Sequence, residues 1–321
     1  MQILEDTPNS GRPTFWKRLA ASLGWTRASY TLLSVFVAVI LLIVVVWWPM
    51  VQDYAGTFDP RYSIWVQLDW LLLGIFVVMS VLIMAGANLK ADALIVLVGM
   101  CGGLVIETWG TNTHLWSYFT FERPPLWIIP AWPVASLSID RLVRILQLLV
   151  GKFPAALYRR LYWVIFPGFF AFMVYFVWPT LNKPLTWAAL LGCAVLILAP
   201  TDQRVAVLTF LAGTGLGYFL ERWGTTRLCW TYYTHQTPPL FAVFAHGLAA
   251  VAFWRVGMVI SRLIRREDVN HKGHGALQRI PLRAHSRVPE GVRALRVKGG
   301  RKCCYGWGKG EADGAALIET D

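Results

Sequence analysis

Long apolar stretches alternate with short polar connections over most of this chain. Eight stretches, each of 16 to 25 residues, approach the ~20 residues that an α-helix needs to cross a bilayer. The pattern predicts an all-α, polytopic membrane protein with about eight transmembrane helices. The predicted helices cover residues 30–49, 64–86, 93–109, 126–150, 161–179, 185–200, 205–223 and 240–264.

One segment of the chain occurs twice. The sequence ETWGTNTHLWSYFTFERPPL at 107–126 returns 114 positions later, without a gap, as ERWGTTRLCWTYYTHQTPPL at 221–240. Ten of the twenty positions are identical, which indicates internal duplication. The flanking helices also match, so a four-helix unit is predicted to occur twice. Because each unit crosses the membrane an even number of times, the units are predicted to be parallel repeats with the same orientation.

Basic residues set the expected orientation and the domain boundaries. Lys and Arg cluster before the first helix, between the fourth and fifth helices, and after the last helix. Basic loops face the cytoplasm, so both termini are predicted to lie there, with the duplicated segments on the outer side of a plasma (inner) membrane. The predicted divisions are a cytoplasmic segment at 1–29, membrane repeats at 30–150 and 151–266, and a basic, disordered cytoplasmic tail at 267–321.

The composition narrows the function classes. Of the 321 residues, 56% are hydrophobic and 15% are charged, which is too apolar for an ordinary soluble domain. The net charge of +12 is expected to meet anionic lipid rather than nucleic acid. The five cysteines show neither a disulfide framework nor metal-ligand spacing, so no metal and no cofactor are predicted. Membrane lipid is an expected partner, and self-association into a homo-oligomer is left open.

Each duplicated segment begins at the end of a GxxxGxxxE stripe. Residues four apart share a helix face, so Gly99 and Gly103 are predicted to let a neighbouring helix pack closely on the face that carries Glu107. A solvated carboxylate at the membrane surface is the plainer interpretation of such a glutamate, but the glycine face turns toward protein. The second copy of the stripe consists of Gly213, Gly217 and Glu221.

A third acidic residue, Asp69, is predicted to lie about six residues into the second helix. At ~1.5 Å per residue it would be about 8 Å below the outer end of that helix. Glu107, Glu221 and Asp69 are therefore the candidate catalytic residues of one outer cavity. A buried carboxyl group that keeps its proton is a suitable general acid for an apolar substrate.

Aromatic residues crowd the same segments. Tryptophan commonly forms a belt at the membrane surface, and this alternative stays open for each single residue. The repeated Trp-x-Tyr pairs favour the wall of a site instead, because aromatic faces stabilise a cation that water does not reach. The predicted substrate-binding residues are Trp109, Trp116, Tyr118, Trp223, Trp230 and Tyr232.

Other polar residues in or near the helices receive plainer interpretations. Arg141 and Arg255 hold matching places about 15 residues into the fourth and eighth predicted helices, and we expect them to be inner anchors. The histidines on the outer side have no metal-ligand spacing, and no role is predicted for them. They are His114, His235 and His246.

The combination of Glu-x-x-Gly-Thr, Trp-x-Tyr and Pro-Pro resembles the integral-membrane carotenoid-biosynthesis proteins. That group includes carotenoid hydratases, and the membrane-embedded lycopene cyclases are comparable. The resemblance rests on 107–111 with Trp116 and Tyr118 and on the matching residues of the second copy, about 20 residues in each. The chain has Trp-x-Tyr where that group has a glycine-containing segment, and it lacks the PxE(E/D) motif of the cyclases. The resemblance implies an isoprenoid-modifying lyase or isomerase of the hydratase or cyclase type.

The predicted function is that of a membrane enzyme acting on an apolar isoprenoid or carotenoid-like polyene. A carboxylic acid would protonate a double bond, and hydration or cyclisation would follow. A proton-coupled transporter with parallel repeats is an alternative that requires polar residues at mid-membrane depth in both units. A non-catalytic membrane assembly subunit is another, and it would tolerate Gln in place of both glutamates.

Overall fold

The computed structural model describes residues 24–150 and 152–277, with the side chains of the last helix described as far as Ile264. Two compact units divide the chain, Met1–Asn270 and His271–Asp321, and the described part of the second is the end of the last helix. The described residues are mostly helical. The helices are α1 (Arg27–Val46), α2 (Trp48–Gly56), α3 (Ile64–Gln67), α4 (Trp70–Met84), α5 (Leu89–Thr113), α6 (Ala131–Val150), α7 (Ala155–Val177), α8 (Pro184–Leu198), α9 (Gln203–Thr226) and α10 (Leu240–Leu277), with strands β1 (Trp116–Tyr118) and β2 (Trp230–Tyr232).

Apolar helices of membrane-crossing length are present in the described residues. Each of the eight predicted stretches overlaps a helix of at least 15 residues. Four segments combine the length and the hydropathy for a crossing, while α4 and α8 are apolar but only 15 residues long. The helices are thus compatible with a membrane protein. The four segments are Arg27–Val46, Leu89–Thr113, Ala155–Thr180 and Leu240–Ile264.

The two long helices that are less apolar, α6 and α9, lie at the centre of the bundle. Helix α6 packs against α4, α5 and α9, and α9 also packs against α4 and α7. Their polar side chains, such as Ser138 in α6 and Thr209 in α9, are buried by these neighbours. Protein rather than lipid therefore surrounds the more polar sequence, which lowers its cost in a membrane.

Similar capping residues define the two helices that lead to the duplicated segments. Asn88 accepts hydrogen bonds from the first turn of α5, and Asp202 accepts one from the first turn of α9. Beyond the other end of each helix, one residue adopts the left-handed conformation, His114 with φ 64° and Leu228 with φ 58°. This conformation ends an α-helix and turns the chain, so each segment folds back over the end of its own helix.

The two turned segments meet as a short antiparallel strand pair. Trp116 lies opposite Tyr232, Ser117 opposite Thr231, and Tyr118 opposite Trp230. A rotation of 180° through the central pair exchanges the two Trp-x-Tyr sequences and preserves this register. The duplicated segments are therefore in direct contact and related locally by twofold geometry.

The structure corrects the predictions for the C-terminal tail and for Arg141, and it adds to the prediction for the N-terminal segment. Helix α10 continues to Leu277, so the predicted disordered tail is helical at 267–277, and its remainder lies outside the described residues. Most of the predicted segment 1–29 also lies outside them, and α1 begins within it at Arg27. The sequence favours an inner anchor at Arg141 whose charged group reaches the membrane surface, but the side chain is buried in protein. It is 2% exposed and pairs with both Asp92 and Asp140 at 2.7 Å.

Candidate functional site

Close helix packing brings α6 against α5 and α10 against α9. A side chain at Gly103 would overlap the ring of Trp132, and one at Gly217 would overlap His246. Glycine at these two places leaves room for a ring from the neighbouring helix. Further along each stripe, Gly99 faces the backbone of Pro133, and Gly213 faces the backbone of α10. The ring that packs over Gly103 or Gly217 therefore lies next to the glutamate four residues later in the same helix.

The carboxyl group of Glu107 is buried and accepts three hydrogen bonds. Trp116 Nε1 donates to Oε2 at 3.0 Å, while Tyr118 OH donates to Oε1 at 2.8 Å and Trp132 Nε1 to the same oxygen at 3.2 Å. The residue is 2% exposed. The solvated carboxylate considered from the sequence is therefore not what the fold contains.

Glu221 has the same arrangement in the second copy. Trp230 Nε1 donates to Oε2 at 2.9 Å, and Tyr232 OH donates to Oε1 at 2.9 Å. The third neighbour is His246, whose Nε2 lies 2.9 Å from Oε1. Glu221 is 3% exposed, so two equally buried carboxyl groups have matching Trp and Tyr donors.

The third neighbours of the two glutamates differ although their positions match. Trp132 and His246 are 114 residues apart, the spacing of the duplication. Their rings stack on each other, with centroids 5.8 Å apart and planes 23° apart. One stacked pair thus connects the two carboxyl groups, and it contains the main chemical difference between the two copies.

Ring contacts across the strand pair also link the two carboxyl clusters. Trp116 lies 5.9 Å from Tyr232 between centroids, and Tyr118 lies 6.0 Å from Trp230, both at an interplanar angle of 53°. Two glycines make space for the tryptophans. A side chain at Gly110 would overlap the ring of Trp116, and one at Gly224 would overlap the ring of Trp230. The two glutamates therefore belong to one continuous aromatic site.

A cavity of about 910 Å³ extends from this aromatic site between the helices. Both carboxyl groups line it, together with His246 and apolar side chains such as Phe169 and Met173. Such a volume suits a ligand of substantial size, and the mainly apolar wall suits a hydrocarbon surface.

The cavity reaches the outer surface of the bundle between helices. Its wall includes Leu104 and Val105 of α5, Leu185 of α8 and Val256 of α10, and all four side chains are more than 40% exposed. A neighbouring pocket of about 280 Å³ shares Gly192, Leu196 and Val256 with the larger one. The accessible side of the cavity is therefore apolar.

The structure corrects the position of Asp69. The residue does not lie inside a helix, because the chain breaks after α3 and Asp69 caps the start of α4 by accepting a hydrogen bond from Leu72 N. Its other oxygen binds Arg227 Nε at 3.0 Å and Trp223 Nε1 at 2.9 Å. Asp69 is absent from the cavity wall described above, so we remove it from the catalytic set.

Trp223 also leaves the predicted substrate-binding set. It stacks on Trp47 with centroids 5.6 Å apart and, like Asp69, is not among the residues that line the cavity. The matching Trp109 does line the cavity and packs edge-on against Trp116. The remaining predicted aromatic residues, Trp116, Tyr118, Trp230 and Tyr232, all line the cavity.

The two tyrosines keep their protons at neutral pH. Burial and the neighbouring carboxyl groups raise the pKa of Tyr118 and of Tyr232 well above the ordinary value. Each hydroxyl therefore stays a hydrogen-bond donor to its glutamate. In the part of the chain that the structure describes, no group of three or more His, Cys, Asp or Glu has the arrangement of a metal site.

Sequence reasoning missed Trp132 and His246 as site residues. Neither lies within the duplicated 20-residue segment, and the two residues are not identical, so a search for repeated identities passes over them. The signal that finds them is the spacing itself, because they are 114 positions apart and each lies 25 residues after its glutamate.

Comparison with known proteins returned no match to this chain among protein-family models, curated proteins or solved structures.

Proposed function

We propose that this protein is a membrane enzyme that protonates a carbon–carbon double bond of an apolar isoprenoid or carotenoid-like polyene. The observation that carries the proposal is the pair of buried glutamates, Glu107 and Glu221, in the wall of one large apolar cavity. Carboxyl groups are expensive to bury, and here they share their cavity with a mainly hydrocarbon surface. A substrate without polar groups that needs an acid fits both features.

The reaction needs only a proton and, for hydration, one water molecule. A carboxyl group transfers its proton to one alkene carbon, the π electrons form the new C–H bond, and the adjacent carbon becomes a cation. Addition of water to the cation, followed by return of one proton to the enzyme, gives an alcohol. Attack by a second double bond and loss of a proton from carbon gives a ring instead. Neither hydration nor cyclisation requires an oxidant or a reductant.

The aromatic wall suits the cationic intermediate. The faces of Trp and Tyr rings attract a positive charge that lacks a hydration shell. Trp116, Tyr118, Trp230 and Tyr232 surround the two carboxyl groups, so charge that develops beside the acid would lie among their rings. Preorganised groups of this kind lower the barrier because they need not reorient during the reaction.

The shape of the cavity favours a long, narrow substrate. Its wall uses residues 185–196 of α8 and 241–256 of α10, which correspond to about 16 and 22 Å along the two helices. Exposed apolar side chains of α5 and α8 lie at its edge. A polyene dissolved in lipid would thus reach the carboxyl groups from the side.

The proposed membrane arrangement has eight crossings in two like-oriented four-helix repeats. The twofold register of β1 and β2 and the matching left-handed residues His114 and Leu228 support the repeat relation. The excess of Lys and Arg near the α6–α7 connection supports placing that end and both termini in the cytoplasm. The strand pair and the glutamates would then face the outer side of an inner or plasma membrane.

The test is expression of the full chain in a host that makes lycopene and related carotenoids, with pigments separated by chromatography. We expect a hydrated or cyclised product that is lost in Glu107→Gln and in Glu221→Gln. Glu122→Gln is the matched control, since Glu122 is an exposed carboxylate in the β1–α6 connection. No new product across several isoprenoid hosts, with all variants equally abundant in the membrane, would reject the enzyme. Proton-dependent solute uptake into vesicles by the same preparations would instead favour the transporter.

A further inference from the structure

We infer that the two glutamates have different tasks: Glu221 and His246 together carry the transferable proton, while Glu107 remains an anion. The inference assigns roles within the site proposed above and rests on that function for its substrate. The difference in protonation is a property of the protein itself, and it can be measured without any substrate.

The hydrogen-bond partners of Glu107 are groups that donate to its carboxyl oxygens. Trp116 and Trp132 contribute indole N–H groups, which donate and have no lone pair to accept a proton. Tyr118 supplies a third donor. A carboxylate accepts from all three groups at once, and the hydroxyl of Tyr118 is the one group among them that could also accept a proton.

The partners of Glu221 accept either form. His246 Nε2 lies 2.9 Å from Oε1 of Glu221, and an imidazole nitrogen is a donor or an acceptor according to its tautomer. The proton between them can therefore rest on the carboxyl oxygen or on the ring without loss of the hydrogen bond. This exchange is closed to Glu107, because the matching position holds Trp132.

The other titratable groups around this pair do not supply the proton. Glu107 comes from α5, Tyr118 from β1, Tyr232 from β2 and Cys193 from α8, while the cavity-lining residues of α6 and α7 are not titratable. The two tyrosines are held as neutral donors by burial. No Lys or Arg is among the described residues that line the cavity. His246 is thus the basic side chain of the site.

The proton returns to its source in each cycle. Glu221 transfers a proton to an alkene carbon, and the cation forms between the carboxylates of Glu221 and Glu107. Water then adds to the cation, and the proton that it loses passes to His246 and restores the Glu221–His246 pair. One water molecule is consumed, and the enzyme is unchanged. The Glu107 carboxylate stabilises the cation throughout and transfers nothing.

Infrared difference spectra of the purified full chain in lipid nanodiscs, taken across a pH range, test the inference. We expect one carboxylic-acid band that disappears as the pH rises. The band should be absent in Glu221→Gln and retained in Glu107→Gln and Trp132→Phe. In His246→Gln it should disappear at a different pH. A band lost in Glu107→Gln but kept in Glu221→Gln would overturn the assignment, and so would a band whose pH dependence ignores His246.

An exchange of the two third neighbours gives a second readout. In Trp132→His combined with His246→Trp, the titrating band should move from Glu221 to Glu107, because the histidine would then lie beside Glu107. Both exchanged positions lie over a glycine, Gly103 or Gly217. A band that stays with Glu221 in a folded double variant contradicts the inference. In the carotenoid host, His246→Gln should lower product formation about 100-fold. A spectroscopic result as expected without any product would reject the proposed function and leave the proton pair standing.

Discussion

The two copies of the duplicated sequence agree more closely at one end of the helix bundle than at the other. At the strand end, both copies keep a glutamate with Trp and Tyr donors, and the third partner of the glutamate differs, Trp132 in one copy and His246 in the other. At the other end, Arg141 binds the carbonyl oxygen of Ala85, and the matching Arg255 binds that of Ala199, again 114 positions apart. The acidic partners of Arg141 have no counterpart beside Arg255, because the second copy has Ala206 and Trp254 at those places.

Some contacts of these residues are present in both copies, and others are present in one copy. Binding of a helix-end carbonyl by arginine occurs in both, so it belongs to the framework of the unit. The buried ion pair of Arg141 with Asp92 occurs once and is a local solution for a buried charge. The carboxyl clusters occur twice with nearly all their donors, which is the pattern expected of a site that uses both copies.

Removal of Arg141 should produce the largest loss of stability. Arg141→Met would leave Asp92 buried and unpaired, at a cost of about 3–5 kcal/mol. Arg255→Met loses hydrogen bonds to carbonyl groups but strands no carboxylate, so we expect about 1–2 kcal/mol. Thermal unfolding in detergent would compare the two variants. Equal losses would show that the ion pair adds nothing beyond the carbonyl contacts.

A methyl group on the glycine seams should have the next largest effect. Gly103→Ala and Gly217→Ala force the rings of Trp132 and His246 away from the helix, and overpacking of this kind costs about 1–3 kcal/mol. Gly215→Ala is the matched control, since nothing lies within 4 Å of a side chain at that place. Both seam variants should also lose product, and a seam variant as stable as the control would contradict the packing described above.

Removal of the tyrosine hydroxyl should destabilise the protein more at Glu107 than at Glu221. Tyr118→Phe removes a donor from a carboxylate, which we expect to cost about 1.5–3 kcal/mol. Tyr232→Phe removes a donor from a group that also holds a proton with His246, so about 1 kcal/mol is expected. Chemical denaturation of both variants at neutral pH measures the difference. A larger cost for Tyr232→Phe would reverse the proposed assignment.

Asp69→Asn should have the smallest effect. The side chain of Arg227 is 49% exposed, although that of Asp69 is 9% exposed. Asparagine keeps a side-chain oxygen that can accept from Trp223 or Arg227, so we expect a cost of about 0–1 kcal/mol. Asparagine also preserves the cap of α4. Product formation should be unchanged, because Asp69 lies outside the cavity. A loss as large as that of Glu221→Gln would return Asp69 to the catalytic set.

The sequence predicts the parts of this molecule that depend on local pattern. Apolar stretches of 16 to 25 residues locate the helices of 15 or more residues in the described part of the chain, and GxxxGxxxE predicts that Glu107 and Glu221 face protein. Asp69 was misplaced because α3 and α4 form one apolar stretch in sequence, although the chain breaks between them. Hydropathy does not register such a break, and only the cap at Asp69 marks it.

Contacts between distant segments were beyond the sequence pattern. Trp132 and His246 reach the glutamates only through the packing of α6 on α5 and of α10 on α9. The buried partner of Arg141 is 49 residues away along the chain. Position along a helix gives depth, but it does not reveal which neighbour covers a charged group.

The paired strands also bear on why both copies share one polypeptide. One copy of the duplicated segment alone would expose the edge of its strand and would need a second copy to cover it. In such a twin assembly, genetic identity would force the same residue into both places that Trp132 and His246 now occupy. A single chain that contains both copies can place a tryptophan at one position and a histidine at the other, which two identical chains could not do.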